Sequence, residues 1–430
     1  MMENLYDIYI RCQTICTDTR NIIPGSIFFA LKGDNFNANL FANEALEKGC
    51  AYAVIDEPQY KLNDKCILVD NVLESLQQLA ALHRSRLKIP VIGITGTNGK
   101  TTSKELIHAV LSKKFKVLST KGNFNNHIGV PLTVLSIHDD TEIAVIEMGA
   151  SHMGEITDLC KISKPDFGII TNIGKAHLEG FGSIEGIVKT KRSLYDSVIS
   201  SKGKLFVCSD NSLLIDISKG ANRITYGVSP HSDCRGEITG SNPLLLLKWY
   251  CKNPTSNIEI KTNLVGYFNF ENVMAAVCIG EHFGVNANDI KDAIESYVPA
   301  NNRSQVINTA KNTILMDAYN ANPTSMNASI ENFIQIKGEN KLAIIGDMLE
   351  LGKDAAEEHK KIVELLLDSG INKVVLIGKN FYSLKPMFNY PVFADVSEAS
   401  EWFGKNNIEK HTILIKGSRG IKLEKLLELL

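Results

Sequence analysis

A chain of 430 residues is too long for one hydrophobic core and requires two to four domains. Hydrophobic residues make up 44% and charged residues 22%, the balance of an ordinary globular protein. The net charge of -2, without any block of like charge, favours no nucleic-acid partner, and no apolar run is long enough to span a bilayer.

The chain starts with acidic Glu3 and Asp7 and no apolar signal core. Its nine cysteines are scattered, only Cys12 and Cys16 lie close together, and none has zinc-ligand spacing. Dispersed thiols of this kind fit a reducing cytosol and hence a cytoplasmic protein. Residues 27–31, 51–55 and 66–69 read as strands, and 40–48 and 72–87 as helices, so residues 1–87 form a small α/β unit. Its loops carry Thr17-Asp18-Thr19-Arg20 and Lys32-Gly33-Asp34-Asn35-Phe36. The planar donor fork of Arg20 can hold an anion; equally, Asp-Thr-Arg is a turn with an aspartate cap. Lys88-Ile89-Pro90 marks the boundary to a second unit, residues 88–300.

That unit opens on Val91-Ile92-Gly93-Ile94-Thr95, an apolar β-branched run expected to be a buried parallel strand. Gly96-Thr97-Asn98-Gly99-Lys100-Thr101-Thr102 follows, and then Leu106, Ile107, Val110 and Leu111 recur at helical spacing. Strand, glycine loop, Lys-Thr and helix make a phosphate-binding loop, in which backbone N–H groups and the helix N-terminus face an anion. Lys100 would reach the β/γ-phosphates and the Thr101 hydroxyl would ligate Mg²⁺. The loop is shorter than the usual pattern, because Ile94 stands where the first glycine would be.

Further along, residues 121–131 are dense in amides and glycine, with Asn125 and Asn126 available to hold phosphate or orient a carboxylate, or simply to line a polar loop. A strand at 143–146 ends in Glu147, a candidate Mg²⁺ ligand at a strand tip; the alternative is a helix cap or a surface glutamate. A third strand, 167–171, leads into a glycine-punctuated loop bearing His177, either structural or a ligand. The helix at 184–195 carries Lys189, Lys191 and Arg192, and spacing alone singles out none of them. Leu244 to Leu247 read as a buried strand. From residue 301 to 430, strands at 314–317, 342–345, 374–377 and 412–415 alternate with helices at 324–336, 355–369, 397–406 and 421–430, which predicts a doubly wound sheet with Asp317 at a strand tip. No Gly-x-Gly-x-x-Gly follows its first strand, so a dinucleotide site is not supported.

These motifs, in this order, resemble the Mur ligases, ATP-dependent amide-forming enzymes of peptidoglycan precursor synthesis, with folylpolyglutamate synthetases as more distant relatives. The resemblance covers nearly the whole chain. It rests on Gly96 to Thr101, Asn125-Asn126, Glu147-Met148-Gly149-Ala150, Thr171-Asn172-Ile173-Gly174 through His177, Leu264-Val265-Gly266 with Asn269 and Asn272, Asp317-Ala318-Tyr319-Asn320-Ala321-Asn322-Pro323, Gly346-Asp347-Met348-Leu349-Glu350-Leu351-Gly352, and Lys416-Gly417-Ser418-Arg419. The resemblance implies an α/β, three-domain architecture: a small N-terminal domain for a UDP-linked sugar peptide, a central phosphate-loop ATPase domain with a parallel sheet, and a C-terminal Rossmann-like doubly wound domain that closes on ATP and binds the amine.

It also implies roles. Gly96 to Thr102, Asn269, Asn272, Arg303 and Asp317 would bind ATP; Thr101, Glu147, His177 and a carbamylated Lys191 would hold two Mg²⁺ ions. Lys191-Arg192-Ser193-Leu194-Tyr195 fits the family's carbamate pattern, which selects Lys191 over Lys189. Lys100, Lys191, His177 and Arg303 would be catalytic. Asp18, Thr19, Arg20, Lys32, Gly33, Asn125, Asn126, Tyr319, Asn320, Asn322, Lys416, Ser418 and Arg419 would face the substrates. Phe268 and Asn302 stand where the family usually has His and often has Gly. The Tyr-Asn-Ala-Asn-Pro and Gly-Asp-Met-Leu-Glu-Leu-Gly stretches point to D-alanyl-D-alanine and UDP-N-acetylmuramoyl-tripeptide as substrates of a monomeric enzyme acting on small molecules. The rival readings are a family ligase adding a single amino acid, a folate polyglutamate ligase, and a nucleotide-hydrolysing switch with no ligase chemistry.

Overall fold

The computed structural model describes residues 2–252, 255–300, 302–338 and 340–430; Met1 and Asn301, the expected first residues of the first and third units, lie outside them. Helix α1 (Met2–Cys12) leads into four parallel strands, β1 (Ile15–Cys16), β2 (Ile27–Phe29), β3 (Tyr52–Ile55) and β4 (Cys66–Leu68), paired in that order. The expected helix at 40–48 is instead a 3-10 turn, Ala38–Phe41, followed by a short α-helix, Ala42–Glu47. Asn37 caps the turn by accepting from the Asn39 N–H. Helix α2 (Val72–Arg86) then starts at Asn71, which accepts from the Glu74 N–H.

One sheet face, with Phe28, Ala53 and Ile55, closes a small core against Ala42 and Ala45. Ile27, Phe29 and Val54 point to the other side and join α1 and α2. Leu76, Leu79 and Ala80 of α2 belong to the same continuous apolar cluster as Val130, Val134, Ile156 and Leu159 of the next unit. The first unit's two long helices are thus packed into the central core, and α2 lies against the helices Gly129–Leu135 and Glu155–Ser163.

The central sheet is built from β5 (Val91–Thr95), β6 (Val117–Ser119), β7 (Ile143–Glu147), β8 (Phe167–Ile170), β9 (Lys204–Cys208), β10 (Arg223–Gly227), β11 (Cys234–Ser241), β12 (Leu244–Lys252) and β13 (Thr255–Val265). Its order is β6-β7-β5-β8-β9-β10-β11-β12-β13, parallel as far as β11 and antiparallel beyond. All of β5 and β7 is buried, as expected for strands covered on both faces. Leu244 to Leu247, expected to be buried throughout, is so only at Leu245 and Leu247, while Leu246 is exposed, because the antiparallel extension keeps one face in water. Helices α3 (Lys100–Leu111), α4 (Ile184–Ser200) and α5 (Phe270–His282) cover the sheet. Neighbours β7 and β8 flank β5, so the chain reverses direction across it, and the crevice for a ligand lies at the carboxyl ends of these three strands.

In the third unit β14 (Gln305–Asn308), β15 (Thr313–Asp317), β16 (Lys341–Gly346), β17 (Lys373–Ile377), β18 (Val392–Phe393) and β19 (Thr412–Lys416) form one sheet in the order β14-β15-β19-β16-β17-β18. All pairings are parallel except β14 with β15. Alternate residues serve opposite faces. Leu315, Ala343, Leu376 and Leu414 meet α6 (Pro323–Gln335) and α7 (Ala355–Asp368). Ile314, Ile344, Val375 and Ile413 meet α8 (Val396–Lys405) and the C-terminal leucines. Helices on both faces make this a doubly wound sheet. The expected helix at 421–430 does not form: Lys422 adopts φ +62, and the segment closes in 3-10 turns that still bury Leu423 and Leu426.

Candidate active site

The loop after β5 is shaped by what surrounds it. Gly96 has φ +150, and a Cβ there would lie 1.9 Å from the Thr171 hydroxyl. Gly99 has φ +77, and its Cβ would meet the Asn272 amide. The Asn98 N–H donates to Asn172 Oδ1 at 2.9 Å, and its carbonyl accepts from the Thr171 hydroxyl at 2.6 Å. The Thr97 hydroxyl accepts from the Gly174 N–H at 2.9 Å. The loop that follows β8 therefore moulds the phosphate loop from behind. Lys100 Nζ lies across the loop, donating to the carbonyls of Gly96 and Thr97 at 2.9 and 3.1 Å. Burial pulls its pKa down, the Arg303 charge adds to this, and the Glu147 carboxylate opposes it.

Glu147 caps β7 and is 1% exposed. Its Oε1 accepts from the Thr101 hydroxyl at 3.2 Å and from Asn125 Nδ2 at 2.8 Å. Its Oε2 is buried with no hydrogen-bond partner. The ammonium of Lys104, one helical turn beyond Lys100, stands 3.7 Å from that oxygen. Asn126 serves the turn itself, accepting from the N–H groups of Ile128 and Gly129 at 3.1 and 2.9 Å.

Lys191, on α4, is buried and donates to the same Gly96 carbonyl at 2.9 Å. Desolvation holds its pKa well below the ordinary lysine range, and the neighbouring Lys100 charge pushes the same way. His177 sits at φ +49 and turns its Nδ1 to Glu350 Oε2 of the third unit at 2.7 Å. That contact lowers the Glu350 carboxyl pKa. Among the described residues no three His, Cys, Asp or Glu side chains converge as a metal-binding set.

The third unit brings a second group of side chains to the same crevice. The Arg303 guanidinium lies 3.6 Å from the Tyr319 ring centroid, and Arg419 lies 5.4 Å from it. Lys416, fully buried at the end of β19, donates to Asp317 Oδ2 at 2.8 Å and to the Asn320 carbonyl at 3.2 Å. Asp317 and Lys416, expected to face different ligands, are thus one ion pair. Asn322 caps α6, and its Nδ2 donates to Asn98 Oδ1 at 2.8 Å, tying the third unit to the phosphate loop. The Ser418 hydroxyl accepts from the Leu349 N–H at 3.0 Å and braces the loop carrying Glu350. Asn269 and Asn272 are hydrogen-bonded to each other at 2.9 Å, and Ser103 of α3 donates to Asn272.

Together these form a cleft of about 1220 Å³. Its lining includes Thr97 to Thr102, Asn125, Glu147, His177, Asn269, Asn272, Arg303, Asp317, Tyr319, Asn320 and Lys416, with Phe268 supplying an aromatic wall. Such a space exceeds the usual pocket for one small ligand. Of the expected site residues, Asp18, Thr19, Arg20, Lys32 and Gly33 do not line it, nor do Gly96, Lys191, Asn322, Ser418 and Arg419, which stand behind or beside its walls. Arg20 is exposed and paired with Asp18, Lys32 is paired with Asp56 and Glu57, and the Thr19 carbonyl accepts from Lys48. The first unit reaches the cleft instead through Gln77, Gln78 and Ala81 of α2. Sequence reasoning missed these three, together with Lys104 and Glu350. Only Lys104 left a local signal, being four residues after Lys100 on one helix.

Comparison with known proteins bears on this arrangement. Residues 94–280 match the Mur ligase middle domain, and residues 302–419 match the "Mur ligase, glutamate ligase domain". A Bacillus subtilis (strain 168) protein named UDP-N-acetylmuramoyl-tripeptide–D-alanyl-D-alanine ligase is 36% identical over 96% of this chain and 92% of its own length. The protein of that name from Escherichia coli (strain K12) is 30% identical over 98% and 94%. A solved MurF structure from Acinetobacter baumannii superposes with a TM-score of 0.87 at 29% identity, covering 97% of this chain and 93% of the other. MurF ligase from Thermotoga maritima in complex with ADP gives 0.85 at 25% identity, covering 98% and 97%.

Proposed function

This chain belongs to the Mur ligase family, and on that premise we propose that it uses ATP to join D-alanyl-D-alanine to the terminal carboxylate of UDP-N-acetylmuramoyl-tripeptide, yielding the pentapeptide precursor, ADP and phosphate. The observation that carries this reading is a phosphate loop, a buried carboxylate and the third unit's cationic cluster facing one cleft. A carboxylate is too poor an electrophile for an amine at neutral pH. Transfer of the γ-phosphoryl group to it gives an acyl phosphate; an uncharged amine then attacks the acyl carbon, forming the amide, losing a proton and displacing phosphate.

The chain's residues suit these steps. Backbone N–H groups from Gly99 to Thr101 and the ammonium of Lys100 would face the phosphates, and Arg303, which lines the same cleft, would add positive charge as the phosphoryl moves. The Phe268 ring offers a flat apolar wall for a base. Lys416 and Asn320 stand where a carboxylate or the dipeptide can be oriented, with Arg419 behind the Tyr319 ring. The acyl phosphate must be kept from water, and the polar seam of Asn98–Asn322, Lys175–Glu358 and His177–Glu350 holds the third unit over the cleft.

Magnesium fits this donor set: the buried Glu147 Oε2 lacks a hydrogen-bond partner and the Thr101 hydroxyl stands beside the same carboxylate. Thr101 and Glu147 would hold one ion; a carbamate on Lys191, with His177, would complete a second. When bound, magnesium supplies charge neutralisation on the phosphoryl group. We propose that the chain acts as a monomer, since described residues of all three units together line one cleft. The nine dispersed cysteines of the sequence support work in a reducing cytoplasm, and no described helix is long and apolar enough to cross a membrane.

Phosphate release from ATP tests the proposal. Turnover should require UDP-N-acetylmuramoyl-tripeptide and D-alanyl-D-alanine together and fall to background when either is omitted or a single amino acid replaces the dipeptide. Equal release with no acceptor would overturn the ligase reading.

A further inference from the structure

Lys104 is 2% exposed, and no step described above uses it. A lysine side chain is buried at this depth only when something holds its charge. Here Nζ donates to the Gly122 carbonyl at 3.3 Å and stands 3.7 Å from Glu147 Oε2. The second distance is an ion pair but too long for a hydrogen bond. Lys104 therefore balances the carboxylate charge while leaving the lone pairs of Oε2 open. The other two ammonium groups nearby, the half-buried Lys100 and the buried Lys191, are turned to main-chain carbonyls of the loop.

We propose that Lys104 is a positioning residue that makes divalent-cation loading at Glu147 depend on the nucleotide. This rests on the reading of Glu147 as a magnesium ligand. An ammonium already beside the ligand oxygen repels a free divalent cation, so the site competes weakly for the metal alone. A metal carried on ATP brings phosphate charge that offsets the repulsion. The same ammonium moors the 121–125 loop, whose Asn125 grips Oε1. The effect is selection for the metal–nucleotide complex over the bare ion.

The test uses the full chain and Mn²⁺ as probe, with free Mn²⁺ followed by electron paramagnetic resonance in the absence of nucleotide. Lys104→Met should bind Mn²⁺ roughly tenfold tighter than the unaltered protein, the size expected when one like charge within about 4–6 Å is removed. Lys104→Arg should leave the affinity unchanged. A residue that only supports the fold would weaken binding when replaced, so the direction of the change separates the two roles. Unchanged or weaker Mn²⁺ binding by Lys104→Met overturns the proposal, and Lys104→Gln serves identically if the methionine variant does not unfold cooperatively. Glu147→Gln, titrated with Mn²⁺ and a non-hydrolysable ATP analogue, checks the premise separately. Affinity unchanged in that variant would overturn the Glu147 assignment itself, whatever Lys104 does.

Discussion

Gly96→Ala is expected to abolish ligase turnover and to lower stability by about 2–5 kcal/mol. Two separable causes act at this position. The backbone sits at φ +150, a conformation nearly confined to glycine, and the added methyl would lie 1.9 Å from the Thr171 hydroxyl. Neither neighbour can yield freely. Thr171 donates to the Asn98 carbonyl and so shapes the turn proposed to hold the phosphates, while the Gly96 carbonyl receives both Lys100 and Lys191. A shift of the loop thus misplaces two ammonium groups at once. Denaturant unfolding, combined with phosphate-release assays, checks this. Adding Thr171→Ala should recover part of the lost stability by removing the steric contact, and none of the turnover. Full activity in Gly96→Ala would mean that the loop geometry is not what positions the phosphates.

Replacement of Lys191 should be nearly as damaging to rate and far milder to the fold. Its ammonium is buried beside Lys100, an arrangement that disfavours the charged form and keeps the amine free to add carbon dioxide. As a carbamate it would present an anion to a divalent cation, a role that neither arginine nor alanine can take. Lys191→Ala and Lys191→Arg should each lose on the order of 10²–10³ in kcat, the scale of removing one electrostatic contact from a transition state. Incubation with ¹³C-bicarbonate should give a carbamate carbon resonance in the unaltered protein that is absent from both variants. Retention of near-normal kcat by Lys191→Arg would remove the carbamate from the mechanism.

What could be read from the sequence was local. The strand, loop and helix around Gly96 to Thr101 lie within one stretch, and glycine, lysine and threonine each have a physical reason to be there. That Glu147 would lie in the cleft was legible because strand tips in parallel sheets border the crevice. The doubly wound third unit was legible because apolar strands and amphipathic helices alternate four times. Long-range pairings escaped. Glu350 lies 173 positions beyond His177, and only the fold makes them partners. Asp317 and Lys416 neutralise each other across adjacent strands, so their roles could not be assigned one at a time. At 421–430 the leucine spacing suggested a helix, yet the left-handed Lys422 breaks it while still satisfying the same buried positions. Arg20 and Lys32 have charge partners on the first unit itself and lie away from the cleft.

The packing of α2 into the central core also has a consequence for how this chain can be divided. Cutting it at 87/88, where the motifs change, would strip Leu76, Leu79 and Ala80 from their neighbours and leave a greasy scar along the remaining ATPase. The seam that tolerates exchange runs elsewhere, around the four short strands between Ile15 and Leu68, whose second face closes on a core of its own. That small sheet is a cassette clipped onto a handle, and α1 and α2 are the handle. The cassette could be rebuilt while Gln77 and Gln78 on the handle stayed fixed at the edge of the cleft.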